Sequence, residues 1–276
     1  MPAESNSIPI VEARGLTKVY SRRAGLLRRK RTTVAVDAID LDVRTGSTFA
    51  LLGESGSGKS TLARCIAGLE QPTRGEVRVG GELVSLLERE KRFEFRRRVQ
   101  LIFQDSSAAL NPRFTAEDII TEPLLVQRIG SAAERKEATS GLMRKVGLVP
   151  EMLSRRATQF SGGQRQRLAI ARALTLHPSL LILDEALTGL DLPVQAQVLK
   201  LLRSLREEFN LTYLFISHDF RLMAEIADEM AIMCGGRIVE RGTPRQLLAK
   251  PQHEHTRALI AAVPGAPMSQ AVEAGR

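Results

Sequence analysis

The chain has 276 residues, a hydrophobic fraction of 43%, a charged fraction of 26% and a formal net charge of +9. This balance fits one large domain or two smaller lobes and excludes a chain too polar to bury a core. No run of about 18 apolar residues is present, which excludes a membrane-spanning helix. Cys65 and Cys234 lie far apart in apolar stretches, so they read as buried free thiols rather than a disulfide framework.

The first residues, "MPAESNSIPIVEARG", lack the basic and apolar segments of a secretory signal. Residues 8–45 carry short alternating strand patterns, and residues 74–84 add more, with "VGGE" as a turn signal. Together they predict an antiparallel β-subdomain. Within it, "RRAGLLRRKR" at 22–31 is the densest basic run and has no interleaved aromatic residue. It reads as a solvated loop or as a lipid or partner contact. The overall positive charge suits nucleic acid or an anionic membrane surface, and alone it decides neither.

The next predicted strand, residues 48–52, runs into "GESGSGKST". Its residues are Gly53, Glu54, Ser55, Gly56, Ser57, Gly58, Lys59, Ser60 and Thr61, and "TLARCIAGL" continues as an apolar helix pattern. Strand, glycine loop and helix are the context a phosphate-binding loop needs. The glycines let backbone N–H groups close around phosphate oxygens, and the helix start adds its dipole. Lys59 is the candidate for the outer phosphates, and Ser60 offers a hydroxyl to Mg²⁺.

Three further apolar runs end in reactive residues. "VQLIF" at 99–103 ends in Gln104, "LLIL" at 180–183 ends in Asp184 and Glu185, and "TYLFIS" at 212–217 ends in His218. A continuous aliphatic run such as 180–183 suits a strand of a parallel sheet buried on both faces. Parallel sheets bind ligands at the carboxyl ends of their strands, so one edge would gather all these groups. Asp184 is then a metal carboxylate, and Glu185 a base for an attacking water. Gln104 is a metal ligand or water-orienting amide, and His218 a donor to a terminal phosphate. Singly, each has a duller reading, such as a helix cap for the Asp-Glu pair.

Between the first and second of these runs lies a mostly helical stretch, predicted as an inserted subdomain over about 105–175. It closes with "QFSGGQRQRLAIARAL". Ser161 and Gln164 have capping-box spacing, which predicts a well-capped helix. Gly162 and Gly163 leave backbone N–H groups uncovered at its positive end, a second anion site. One nucleotide cannot easily occupy both sites of a chain, so the economical solution is two chains, each offering this helix start to the other's nucleotide. Further on, "MAIMCGGRIVERG" reads as a hairpin, and the last residues, "GAPMSQAVEAGR", as a disordered tail.

The phosphate loop, Gln104, "SGGQ", "LLILDE" and His218, in this order, resemble an ATP-binding cassette ATPase over nearly the whole chain. The resemblance implies an α/β fold: a P-loop NTPase core with a mostly parallel sheet, the N-terminal antiparallel β-subdomain and the inserted helical subdomain. It implies a cassette over 8–250, with ATP and Mg²⁺ as cofactors. Ser161, Gly163 and Gln164 would meet the partner's γ-phosphate, and Asp191, at the end of "ALTGLD", would face the partner chain. Tyr20 stands where the family stacks an aromatic ring on adenine, although a tyrosine on a strand also serves simple packing. The signature begins with Phe160 where leucine is usual, and Gly189 stands where a residue such as alanine is frequent. Retention of Glu185 implies hydrolysis.

"FQDSSAALNPRFTAEDIITEPL" from Phe103, and "PQHEHTRALIAAVP" at 251–264, are similar to the oligopeptide, dipeptide and nickel importer branch. That implies an ATPase subunit powering import of peptides or nickel, peripheral on the cytoplasmic face of the inner membrane. Its partners would be two transmembrane permease subunits, a second cassette chain, identical or paralogous, and indirectly an extracytoplasmic solute-binding protein, with no nucleic acid. Coupling would run through the groove around 104–125. The tail at 265–276 carries no cysteine cluster, so no iron–sulfur cluster is expected. The alternative is an ATPase subunit of a soluble enzyme complex, as in phosphonate breakdown.

Overall fold

The computed structural model describes residues 9–22, 31–103 and 110–262. A six-stranded sheet organises it. Five strands run parallel: β3 (Thr48–Leu52), β6 (Val99–Ile102), β7 (Leu180–Asp184), β8 (Thr212–Ser217) and β9 (Glu229–Cys234). β10 (Arg237–Gly242) closes one edge antiparallel to β9, across the turn at Gly235 and Gly236 that makes the expected hairpin. The order is β10-β9-β3-β8-β7-β6.

The aliphatic runs have a physical reason. Phe49, Leu51, Leu180, Ile182, Leu214 and Ile216 pack on one face of the sheet, while Ala50, Leu52, Leu181, Leu183 and Phe215 pack on the other. A sheet covered on both sides favours apolar residues along the middle of these strands. On the first face lie helix α1 (Lys59–Ile66) and a four-stranded sheet of order β2-β1-β4-β5, made of β1 (Pro9–Arg22), β2 (Arg31–Arg44), β4 (Arg74–Val79) and β5 (Glu82–Leu83). On the second lie helices including α5 (Gly162–Leu174), α6 (Leu192–Phe209) and α7 (Phe220–Ile226). Helix α2 (Arg89–Arg98) precedes β6. Helices α3 (Ala116–Val126) and α4 (Ala132–Lys145) carry reciprocal caps, Thr115 with Asp118 and Ser131 with Glu134.

The antiparallel sheet differs from expectation in one respect. β1 and β2 are 14 residues each, not short. Register shifts between Ala13 and Leu16, and again to Lys18 and Val19, let the pair stay joined while coiling. Each shift breaks the apolar alternation, so one long strand reads in sequence as several short ones.

A carboxylate on β10 helps to hold the last two described helices. After β10 come α8 (Pro244–Ala249) and α9 (Glu254–Ala261). Glu240 on β10 accepts the backbone N–H groups of Gln252 and His253, both at 2.9 Å. Burial pulls this carboxyl upward, but those bonds outweigh it and hold it below the usual range. A depressed carboxyl stabilises the fold above its unfolded pKa, and that stability is lost as pH falls through the folded value. Glu240→Ala should therefore lower the melting midpoint by about 2–6 °C at neutral pH. The gap to wild type should narrow as pH falls through the folded value, as read by thermal denaturation across pH.

Candidate nucleotide site

Register brings the predicted groups to one edge. Leu52 is level with Ser217, Asp184 with Ile216, and Ile102 with Leu183. Gly53, His218 and Glu185 therefore leave the sheet side by side. Gln104 lies outside the described residues.

The phosphate loop wraps its own lysine. Lys59 Nζ donates to the carbonyls of Gly53 and Glu54 at 2.7 Å each, and to Ser57 Oγ at 3.3 Å. Lys59 is only 4% exposed. Burial depresses its pKa, against the pull of Glu185, Asp184 and Glu54. An arriving phosphate would replace carbonyl dipoles with full negative charge. Helix α1 begins at the loop with no side-chain cap and no acidic residue in its first turn, so its N–H groups are open to an anion. The loop is threaded between distant backbones. Gly58 has φ 104°, and a Cβ there would lie 2.0 Å from the Ala35 carbonyl oxygen; one on Gly53 would lie 2.1 Å from that of Met233. Gly236 N–H also donates to the Ser57 carbonyl at 3.0 Å. These supports from β2 and the β9–β10 turn carry no local signal in the motif.

Ser60 Oγ donates to Asp184 Oδ1 at 2.9 Å, which joins the helix start to the end of β7. Asp184 is 3% exposed. Burial raises its pKa, with the Ser60 bond pulling the other way. A raised carboxyl favours folding below its unfolded pKa, and that contribution is lost as pH rises through the folded value. Asp184→Asn removes this buried charge. It should raise the melting midpoint of the nucleotide-free chain at neutral pH and abolish the further rise on adding Mg²⁺ with ATP, both measured by thermal shift.

Glu185 follows with φ 47°, a left-handed conformation rare for this residue type and held here by its N–H bond to the Ile216 carbonyl at 2.9 Å. Its carboxylate lies 3.7 Å from His218 Nδ1, the glutamate side chain 14% exposed and the histidine 55%. Both border a cleft with Thr188, Gly189, Ser217 and Asp219. Neither Asp184 nor Glu185 caps a helix. Asp191 does so for α6, accepting from Val194 N–H at 2.9 Å.

The second helix start has its capping box. Ser161 Oγ accepts from Gln164 N–H at 3.3 Å, and Gln164 Oε1 accepts from Ser161 N–H at 2.9 Å. A Cβ on Gly163 would lie 2.6 Å from Val194 Cγ1, so this glycine lets α5 approach the start of α6 closely. Ser161 and Asp191 thus sit on adjoining, exposed helix starts. The side-chain bonds of Ser161 and Gln164 given above close on each other, and the phosphate loop is tied instead to Asp184.

Tyr20 is 39% exposed, not packed into the core, and its hydroxyl donates to Glu70. Sequence reasoning did not single out Glu70, because its role depends on a contact across 50 residues of chain. Cys65 is buried, its thiol pushed up to about 11 by burial, whereas Cys234 is only partly buried. Cys234 ends β9 at the hairpin turn, beside a cleft shared with residues 53–57.

A family model described as ABC transporter matches residues 36–188. The dipeptide transport ATP-binding protein DppF of Haemophilus influenzae is 42% identical over 256 residues, 93% of this chain and 78% of that one. The oligopeptide transport ATP-binding protein AppF of Bacillus subtilis is 43% identical over 262 residues, 94% of this chain and 80% of that one. Among solved structures, the ATP-binding cassette MJ0796, in a dimeric post-hydrolysis state bound to ADP and Pi, superposes with a TM-score of 0.75 at 28% identity. It covers 85% of this chain and 99% of that one.

Proposed function

We propose a function from one premise: the chain belongs to the ABC transporter family, as an ATP-binding and ATP-hydrolysing cassette. In our reading it is the ATPase subunit of a peptide importer. The observation that carries this is the similarity, over 93–94% of the chain, to proteins named for dipeptide and oligopeptide transport.

The residues act as follows. Backbone N–H groups of residues 53–61 and Lys59 bind the ATP phosphates, and Tyr20 meets the adenine. Ser60 and Asp184, joined by Gln104, would hold Mg²⁺. Their donors are all oxygen, which suits a hard cation. When bound, the ion would neutralise charge on the phosphate oxygens. Glu185 takes a proton from water as the water oxygen bonds to the γ-phosphorus and the bond to the β,γ-bridging oxygen breaks, leaving ADP and phosphate. His218 orients the γ-phosphate beside Glu185. Ser161, Gly162, Gly163 and Gln164 of a second cassette chain complete each site, with Asp191 at the same face.

ATP closes two such chains, closure moves two permease subunits through contacts around 104–125, and hydrolysis reopens the pair. No helix of the described residues is long and apolar enough to cross a membrane. In our reading the chain works as a peripheral subunit at the cytoplasmic face of the membrane, with cargo chosen by the permeases and a solute-binding protein. Affinity capture of the tagged chain from detergent-solubilised native cells tests this. Co-purification of two polytopic membrane proteins and a second cassette is expected. Soluble enzyme subunits without membrane proteins would overturn the importer reading.

A further inference from the structure

We propose that Glu70 is a positioning residue for nucleotide binding, holding the Tyr20 ring ready for the adenine before ATP arrives. This rests on the reading that Tyr20 meets the base.

Tyr20 is near the end of β1, partly exposed, on a side chain with two free torsions. Left alone, such a ring would sample several orientations, and binding would have to select one. Two contacts fix it. Its hydroxyl donates to Glu70. Lys18 Nζ stands over one face of the ring, 5.3 Å from its centroid. Lys18 is itself fixed by the Gln71 carbonyl at 2.8 Å and by Glu70 at 3.4 Å. Arg64, on α1, reaches Glu70 at 3.5 Å.

Glu70 is the shared partner of Tyr20, Lys18 and Arg64. Burial pulls its carboxyl upward, yet Tyr20 and Lys18 chiefly hold it below the usual range. Glu70 therefore ties the helix of the phosphate loop to the strand that carries the ring. A platform fixed relative to the phosphate site binds more tightly because less freedom is lost on association.

The test is ATP binding to the full chain by calorimetry, with KM, kcat and melting midpoint, for Tyr20→Ala, Tyr20→Phe, Glu70→Ala and the Tyr20→Phe/Glu70→Ala pair. Tyr20→Ala should weaken ATP roughly 10-fold, within the range for base stacking. Tyr20→Phe keeps the ring and loses the bond. It and Glu70→Ala should each weaken ATP about 3- to 5-fold with kcat held, and the pair no more than Glu70→Ala alone, because the Tyr20–Glu70 bond is already absent there. Wild-type affinity in Glu70→Ala beside a loss in Tyr20→Ala would overturn the positioning role and leave the stacking reading standing. Wild-type affinity in Tyr20→Ala would overturn both. A fall in midpoint and kcat for Glu70→Ala with unchanged KM would reduce Glu70 to a structural tie and contradict the proposal.

Discussion

Replacing Glu185 with glutamine is expected to lower kcat for ATP hydrolysis by about 10²- to 10⁴-fold while leaving ATP affinity close to wild type. Glutamine keeps the shape of the side chain and the backbone that holds it at φ 47°, next to the Ile216 carbonyl. What it loses is the basicity of the carboxylate, since an amide oxygen is too weak a base to take a proton from water. Lys59, Ser60 and Asp184 are untouched, so the phosphate contacts persist. The neighbouring His218, 3.7 Å from the carboxylate, keeps its place as a donor. ATP should therefore remain bound and uncleaved, and the closed pair should accumulate. Single-turnover hydrolysis beside equilibrium ATP binding separates the two effects. A variant that hydrolyses within about tenfold of wild type would remove Glu185 from the role of base.

The second large effect is structural. Gly58→Ala puts a methyl group 2.0 Å from the Ala35 carbonyl oxygen at a residue with φ 104°. Neither the contact nor the dihedral can relax cheaply, because the clashing atom is backbone of β2. Strain and overpacking together should cost about 3–5 kcal/mol, which lowers the midpoint by roughly 8–15 °C for a chain of this size. ATP affinity should collapse as well, since Lys59 and Ser60 follow directly in the chain. Gly56→Ala is the internal control. It also has positive φ, at 82°, but nothing lies within 4 Å of its added carbon. Its cost should be the dihedral alone, about 1–2 kcal/mol. Equal losses in the two variants would refute the close approach of β2 to the loop.

What could be read from sequence follows the range of the interactions. The phosphate loop was legible because its chemistry is local: glycines, lysine and serine at fixed spacing between a strand and a helix. The ends of β7 and β8 were legible because a strand buried on both faces leaves an uninterrupted apolar run, so the first polar residue marks the edge. The Ser161 cap was legible from the spacing to Gln164. The length of β1 and β2 was not, because register shifts erase alternation where the chain coils. Nor were the backbones of Ala35 and Met233 against the loop, since a carbonyl carries no residue signature. Glu70 and Glu240 escaped notice for the same reason. An isolated glutamate announces nothing until the fold brings it under a tyrosine hydroxyl or two orphan N–H groups. Cys234 read as buried from its apolar neighbours, but the turn that follows it opens the end of β9.

The central claim is that the helix start at Ser161 completes the nucleotide site of another chain. Sedimentation of the Glu185→Gln chain with and without ATP, beside the Glu185→Gln/Ser161→Arg chain, tests it most directly. Glu185→Gln should pass from monomer to dimer on adding ATP. The double variant should bind ATP with similar affinity and remain monomeric, because arginine fills the helix start that must meet the partner's γ-phosphate. Dimerisation of the double variant to the same extent would contradict the shared site.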